Sequence, residues 1–156
     1  MKLGVGGMAD LVHRHIFTVE RAGYAITADA NLMNKDLVVN LTGGELPHLG
    51  GIVGFDRQTG KVTKTYFASH DGRKHKDILL AERFVKRAAD RVPGNLCVTA
   101  GVHIDNITAD QINASFPMTD ELAEQVVTWL TGFARQFRDP RYTTHLKNFK
   151  PEEGRI

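Results

Sequence analysis

Residues 24–42 read YAITADANLMNKDLVVNLT. Tyr24, Ile26, Ala28, Ala30 and Leu32 alternate with Thr27, Asp29 and Asn31. A strict period of two puts the apolar set on one face of an extended strand and the polar set on the other. Met33-Asn34-Lys35-Asp36 follows as a turn, and Leu37, Val39 and Leu41 then alternate with Val38, Asn40 and Thr42. The two runs predict a hairpin with one apolar face. Such a face has to be covered by other elements of the chain.

Upstream, Ile16 to Glu20 predicts another strand, turned by Arg21-Ala22-Gly23. Downstream, Gly51 to Phe55 and Val62 to Ala68 flank Asp56-Arg57-Gln58-Thr59-Gly60, a second hairpin. The period then changes. From Asp77 to Val92 the apolar residues Leu80, Ala81, Phe84, Val85, Ala88, Ala89 and Val92 recur at three and four. That is an amphipathic helix, stopped by Pro93-Gly94. Leu96 to Val102 is almost continuously apolar and predicts a central strand. Thr108-Ala109-Asp110-Gln111 has the form of a capping box and opens a short helix that Pro117 should end. Thr119 should start a longer one, with Leu122, Val126, Trp129, Leu130, Phe133 and Phe137 as its buried stripe. Strands first and helices later predict an α+β fold: a mostly antiparallel β-sheet with two to three helices packed on one face. The expected division is an N-terminal extension over 1–15, a single domain over 16–137 and a polar tail over 138–156.

The chain has 156 residues, enough for one domain with a genuine core. A net charge of +2 gives no argument for nucleic acid, and the basic residues are scattered without an aromatic platform. Cys97 is the one cysteine, which fits a reducing compartment and an inert packed thiol. No run approaches the roughly 18 apolar residues of a membrane span. The first residues lack the apolar stretch of a signal peptide, so a cytoplasmic location is expected.

Chemistry-capable residues gather in three segments. In TGGELPHLGG, residues 42–51, Gly43, Gly44, Gly50 and Gly51 surround His48. The glycines permit close approach of a ligand, or simply a tight connection between strands. In SHDGRKHKD, residues 69–77, Ser69, His70, Arg73, Lys74, His75 and Lys76 stand at the start of a helix. A helix start with arginine and lysine suits a phosphate. The alternative is a solvated turn with Asp77 as N-cap. In TAGVHIDNIT, residues 99–108, a buried strand runs out into His103, Asp105 and Asn106. Polar groups past a sheet edge suit ligand binding, or they make the turn alone. No pair of these histidines and carboxylates has a recognised metal-ligand spacing. Ser69 lacks a nucleophile-elbow sequence.

LTGGELPHLGG, SHDGRKHKD and TAGVHIDNIT resemble, in order, the matching stretches of the LpdD-like prenylated-flavin chaperone family. The resemblance runs from about Phe17 to Leu130, with His48-Leu49-Gly50 standing where His-Ile-Gly is expected. It implies a non-catalytic accessory protein that binds prenylated FMN, or FMN itself, and helps load a UbiD-type decarboxylase acting on aromatic or unsaturated acids. It implies a site lined by Gly43, Gly44, His48, Gly50, Ser69, His70, Arg73, His75, Lys76, His103, Asp105 and Asn106. Tyr66, Phe67 or Phe55 would supply an apolar wall. The expected partners are the decarboxylase, the flavin prenyltransferase and a second copy of the chain as a homodimer. The rival readings are an acid–base or metal-dependent enzyme on a phosphorylated small molecule, and a structural subunit of a decarboxylase complex.

Overall fold

The computed structural model describes residues 11–69, 71, 72 and 76–143. The elements are β1 (Val12–Arg21), β2 (Tyr24–Met33), β3 (Asp36–Gly44), β4 (Gly51–Phe55), β5 (Val62–Tyr66), α1 (Ile78–Ala88), β6 (Leu96–His103) and α2 (Ala109–Thr131). Short 3-10 turns follow the helices at Ala89–Arg91 and Ala134–Gln136. The strands form one six-stranded sheet in the order β1-β2-β3-β6-β4-β5. Every pairing is antiparallel except that of β3 with β6.

The period-two pattern explains the layers. Ala28 pairs with Leu41, Ala30 with Val39, and Val39 in turn with Val98, which pairs with Val53. These residues are buried, so the apolar stripe of the first hairpin continues across the sheet. Both helices cover that face. α1 inserts Leu80, Phe84 and Val85, and α2 inserts Met118, Leu122 and Val126. The other face carries the polar set, where Thr18 bonds Thr27 at 3.1 Å and Thr99 bonds Asn40 at 2.7 Å. The α+β architecture with helices on one face is therefore as the sequence predicts. Among the described residues no helix is long and apolar enough to cross a membrane.

β5 ends at Tyr66 rather than Ala68, and α2 ends at Thr131, so that Phe133 and Phe137 lie beyond it and are half-buried. Two elements differ more deeply from expectation. β1 begins at Val12 rather than Ile16. Its first residues on the helix side are His13 and His15, whose rings hide the alternation from a hydrophobicity count. In the fold they behave as aromatic surface: His13 stacks on Phe133 at 3.9 Å, and His15 lies 6.1 Å from Trp129. The second difference is α2, which is one helix rather than two. Pro117 does not end it. The proline is exposed, while Met118, Thr119 and Leu122 beside it are buried. The lost hydrogen bond therefore falls on the wet side, where water can satisfy the freed carbonyl, and burial of the inner face outweighs it. Thr108 and Gln111 make the complete capping box that opens this helix.

The helices are tied to each other by charge as well as packing. Arg83 donates to Asp120 through two bonds of 2.8 and 2.7 Å, Arg87 adds a third, and Arg91 grips Glu124. The guanidinium of Arg83 holds the Asp120 carboxyl below the usual carboxylate range.

Candidate functional site

The parallel pairing of β3 and β6 brings Gly44 and His103 side by side at one end of the sheet. Residues 45–50 then cross the end of β6 to enter β4 on its far side. They are laid along β6 by backbone bonds. Glu45 N–H donates to the His103 carbonyl at 2.7 Å, and Gly50 N–H to the Ala100 carbonyl at 2.8 Å. Close approach is possible because β6 has no side chain at the crossing. A Cβ on Gly101 would lie 1.6 Å from the His48 carbonyl oxygen. Gly44 has φ +74, and a Cβ there would lie 2.1 Å from the His103 carbonyl oxygen. Gly43 packs equally tightly, on the Ala25 carbonyl. At Gly43 and Gly44 the glycine freedom noted in the sequence is thus taken up by the chain's own backbone.

This crossing sets His48. Its Nδ1 faces the Leu46 carbonyl at 3.0 Å and its Nε2 faces Asp77 Oδ2 at 2.9 Å. A carbonyl and a carboxylate hold both ring nitrogens and fix the ring. Asp77 occupies the N-cap position of α1 but makes no side-chain cap bond. The capping role expected of it is overridden: its carboxylate turns to His48. The pair is well shielded, with side chains 27% and 15% exposed.

His103 stands beside it, ring centroids 6.5 Å apart and 72° between planes. Its Nε2 lies 2.9 Å from Asp105 Oδ1, and Asp105 N–H donates to Glu45 Oε2 at 2.9 Å. Asn106 has φ 54, the left-handed conformation that asparagine tolerates, and so turns the chain toward α2. Segments 42–51 and 99–108 and the start of α1 therefore converge on one histidine pair.

Ser69 makes its contacts within its own turn, to the Asp71 carboxylate and to Gly72 N–H. Gly50 accepts from Phe67 N–H at 3.1 Å, which carries this segment past the crossing loop. His70, Arg73, Lys74 and His75 lie outside the described residues. Tyr66 pairs with Gly51 and stays near the site, but Phe55 does not supply a wall there. It pairs with Leu96 at the opposite end of β4, beneath the Arg57 guanidinium.

On the helix side of the sheet, between the first turns of α1 and α2, is a cavity of about 290 Å³. Tyr24, Leu80, Val102, Ile104, Ile112 and Phe116 form most of its wall, and Lys76, Asp77 and His103 also line it. Asp77 and His103 are thus shared with the histidine pair. The Tyr24 hydroxyl donates to the Gln111 carbonyl at 2.8 Å, and burial pushes its pKa up. The period-two reading assigns Tyr24 to the core, and the capping box draws attention from Ile107 and Ile112 on either side of it. The usable signal was two large apolar residues flanking a polar helix start. Among the described residues no group of three or more His, Cys, Asp or Glu is placed to hold a metal ion.

The chain is similar to known proteins in sequence and, more loosely, in fold. The family model described as prenylated flavin chaperone LpdD-like domain matches residues 20–131. Protein LpdD of Lactiplantibacillus plantarum is 40% identical over 126 residues, 81% of this chain and 92% of that protein. A chain from a crystal structure of a chaperone complex for yeast 20S proteasome assembly superimposes with a TM-score of 0.47 at 14% identity, covering 79% of this chain and 98% of that one.

Proposed function

This chain belongs to the family of prenylated flavin chaperones with an LpdD-like domain, and from that premise we propose that it binds prenylated FMN and helps load it into a UbiD-type decarboxylase. An accessory role is the one the family carries. The observation that supports the finer reading is the convergence on His48. Segment 42–51 meets segment 99–108 there through the Glu45 N–H bond to the His103 carbonyl, and meets Asp77, the last residue of segment 69–77, through His48. They do so against an apolar cavity that shares Asp77 and His103. Prenylated FMN has a flat apolar ring system, a ribityl chain and a phosphate. That combination asks for an apolar slot, hydrogen-bonding groups at its edge and a cation. The residues present fit: the cavity offers the slot, His103 a hydrogen-bonding group at its edge with His48 beside it, and Lys76 a cation.

In this reading Lys76, with Arg73 or Lys74, holds the phosphate, and His48 and His103 hydrogen-bond the ring edge or phosphate. Asp77 and Asp105 fix the two imidazoles. The protein has to release what it binds, so a moderate affinity and a site open on one side serve it best. It works in the cytoplasm as a homodimer paired through an exposed sheet edge, and it meets the prenyltransferase before the decarboxylase.

The test is anaerobic co-expression with a flavin prenyltransferase, followed by mass spectrometry of the small molecule released on denaturation. Prenylated FMN near one per chain is the expected result, and its loss in Arg73→Ala would assign the phosphate anchor. A purified protein that carries no flavin and binds none on titration would overturn the proposal.

A further inference from the structure

The cavity between the first turns of α1 and α2 has a volume of about 290 Å³. Sites for whole drug-sized ligands run from roughly 300 to 1,000 Å³. It lies at the small end of that range, which suits one flat apolar part of a flavin nucleotide better than the whole. Resting on the flavin-binding reading above, we infer that this cavity receives the ring end of the cofactor and leaves the ribityl phosphate outside, on the Lys76 side.

Three observations carry this. The lining is mostly hydrocarbon and aromatic, which favours an uncharged ring over a phosphate. Leu79, Ile107 and Ile112 line the same cavity and remain 48%, 41% and 45% exposed. A ring seated there would cover apolar surface that the chain itself leaves wet. The ionisable members, Lys76, Asp77 and His103, come from two of the motif segments, so ring and charged groups are met at one place.

Two other depressions fit less well. The groove of about 570 Å³ between α1 and the β4–β5 hairpin contains neither histidine and is flanked by Lys64, Glu82 and Arg83, of which Lys64 and Glu82 pair with each other. The depression of about 520 Å³ beside Asn40, Thr42 and Thr99 lies on the polar face of the sheet. It does touch His48, so it is the alternative that the experiment has to exclude.

The experiment measures anaerobic binding of prenylated FMN to the full chain and to three variants, with melting temperatures taken alongside. Ile112→Trp fills the cavity, Ile107→Ala removes wall without adding bulk, and Thr99→Tyr adds a ring on the opposite face. The expected result is a loss of tenfold or more for Ile112→Trp and a smaller loss for Ile107→Ala. Thr99→Tyr should bind as the unaltered protein does. Retained affinity in both isoleucine variants, or a loss confined to Thr99→Tyr, would overturn the inference while leaving flavin binding intact. An unaltered protein that binds no prenylated FMN would overturn the flavin-binding reading, and this inference with it.

Discussion

At the scale of single residues, Gly101 and Asp77 decide the site. Nothing but hydrogen fits at position 101, because the His48 carbonyl lies where a Cβ would stand. Gly101→Ala is expected to lift residues 45–50 off β6, lowering the melting temperature and weakening flavin binding together. Asp77→Asn should be gentler. It keeps the shape but removes the charge facing His48 Nε2, so binding should weaken severalfold with little change in melting temperature. Isothermal titration of the two variants checks both outcomes. From the sequence, His48 could be singled out because a glycine-rich connection does not need a histidine, and His103 and Asp105 because they follow a buried strand. The partner of His48 could not, since Asp77 has the form of an ordinary helix cap and its role depends on a contact 29 positions away.

At the scale of elements, α2 and the α1–α2 contact make separate predictions. Pro117 sits in the helix interior on its wet face. Pro117→Ala restores a backbone N–H. Against roughly 3 kcal/mol of helix preference stands a gain of up to about 1 kcal/mol in unfolded-chain entropy, so a net stabilisation near 2 kcal/mol is expected in urea melts. Asp120 is held below its ordinary value of 3.8 by the Arg83 hydrogen bonds. A depressed carboxyl stabilises the fold above its unfolded pKa and loses that contribution as pH falls through the folded one. The native protein should therefore lose stability below about pH 3.8, and Asp120→Asn should flatten that loss. Because Arg83 and Arg87 are 42% and 50% exposed, the neutral-pH cost should not exceed about 1 kcal/mol. The strands and α1 were legible because period two and period 3.6 leave plain marks in the residues. The single α2 was not, since a proline rule weighs one hydrogen bond and cannot see the buried stripe that runs past it. The start of β1 was missed because His13 and His15 count as polar in a sequence but pack as rings in the fold.

For the whole molecule, the sheet brings together what the chain holds apart. Parallel pairing of β3 with β6 sets Gly44 against His103, and the crossing loop then has one short route to β4. Order along the chain could not reveal this, because a parallel neighbour is made through a distant strand. The core beneath the site should behave as a unit. Phe84 is fully buried between α1 and the sheet, so Phe84→Ala should cost about 3–5 kcal/mol and abolish binding through unfolding rather than chemistry. A protein that delivers a cofactor has to hand it on, so transfer can be measured directly. Chaperone loaded anaerobically with prenylated FMN would be mixed with an apo UbiD-type decarboxylase, and the onset of decarboxylation compared with an equal amount of free cofactor. Faster or fuller activation by the loaded protein is the predicted result. Activation no better than free cofactor, or a chaperone that cannot be loaded at all, would contradict the account.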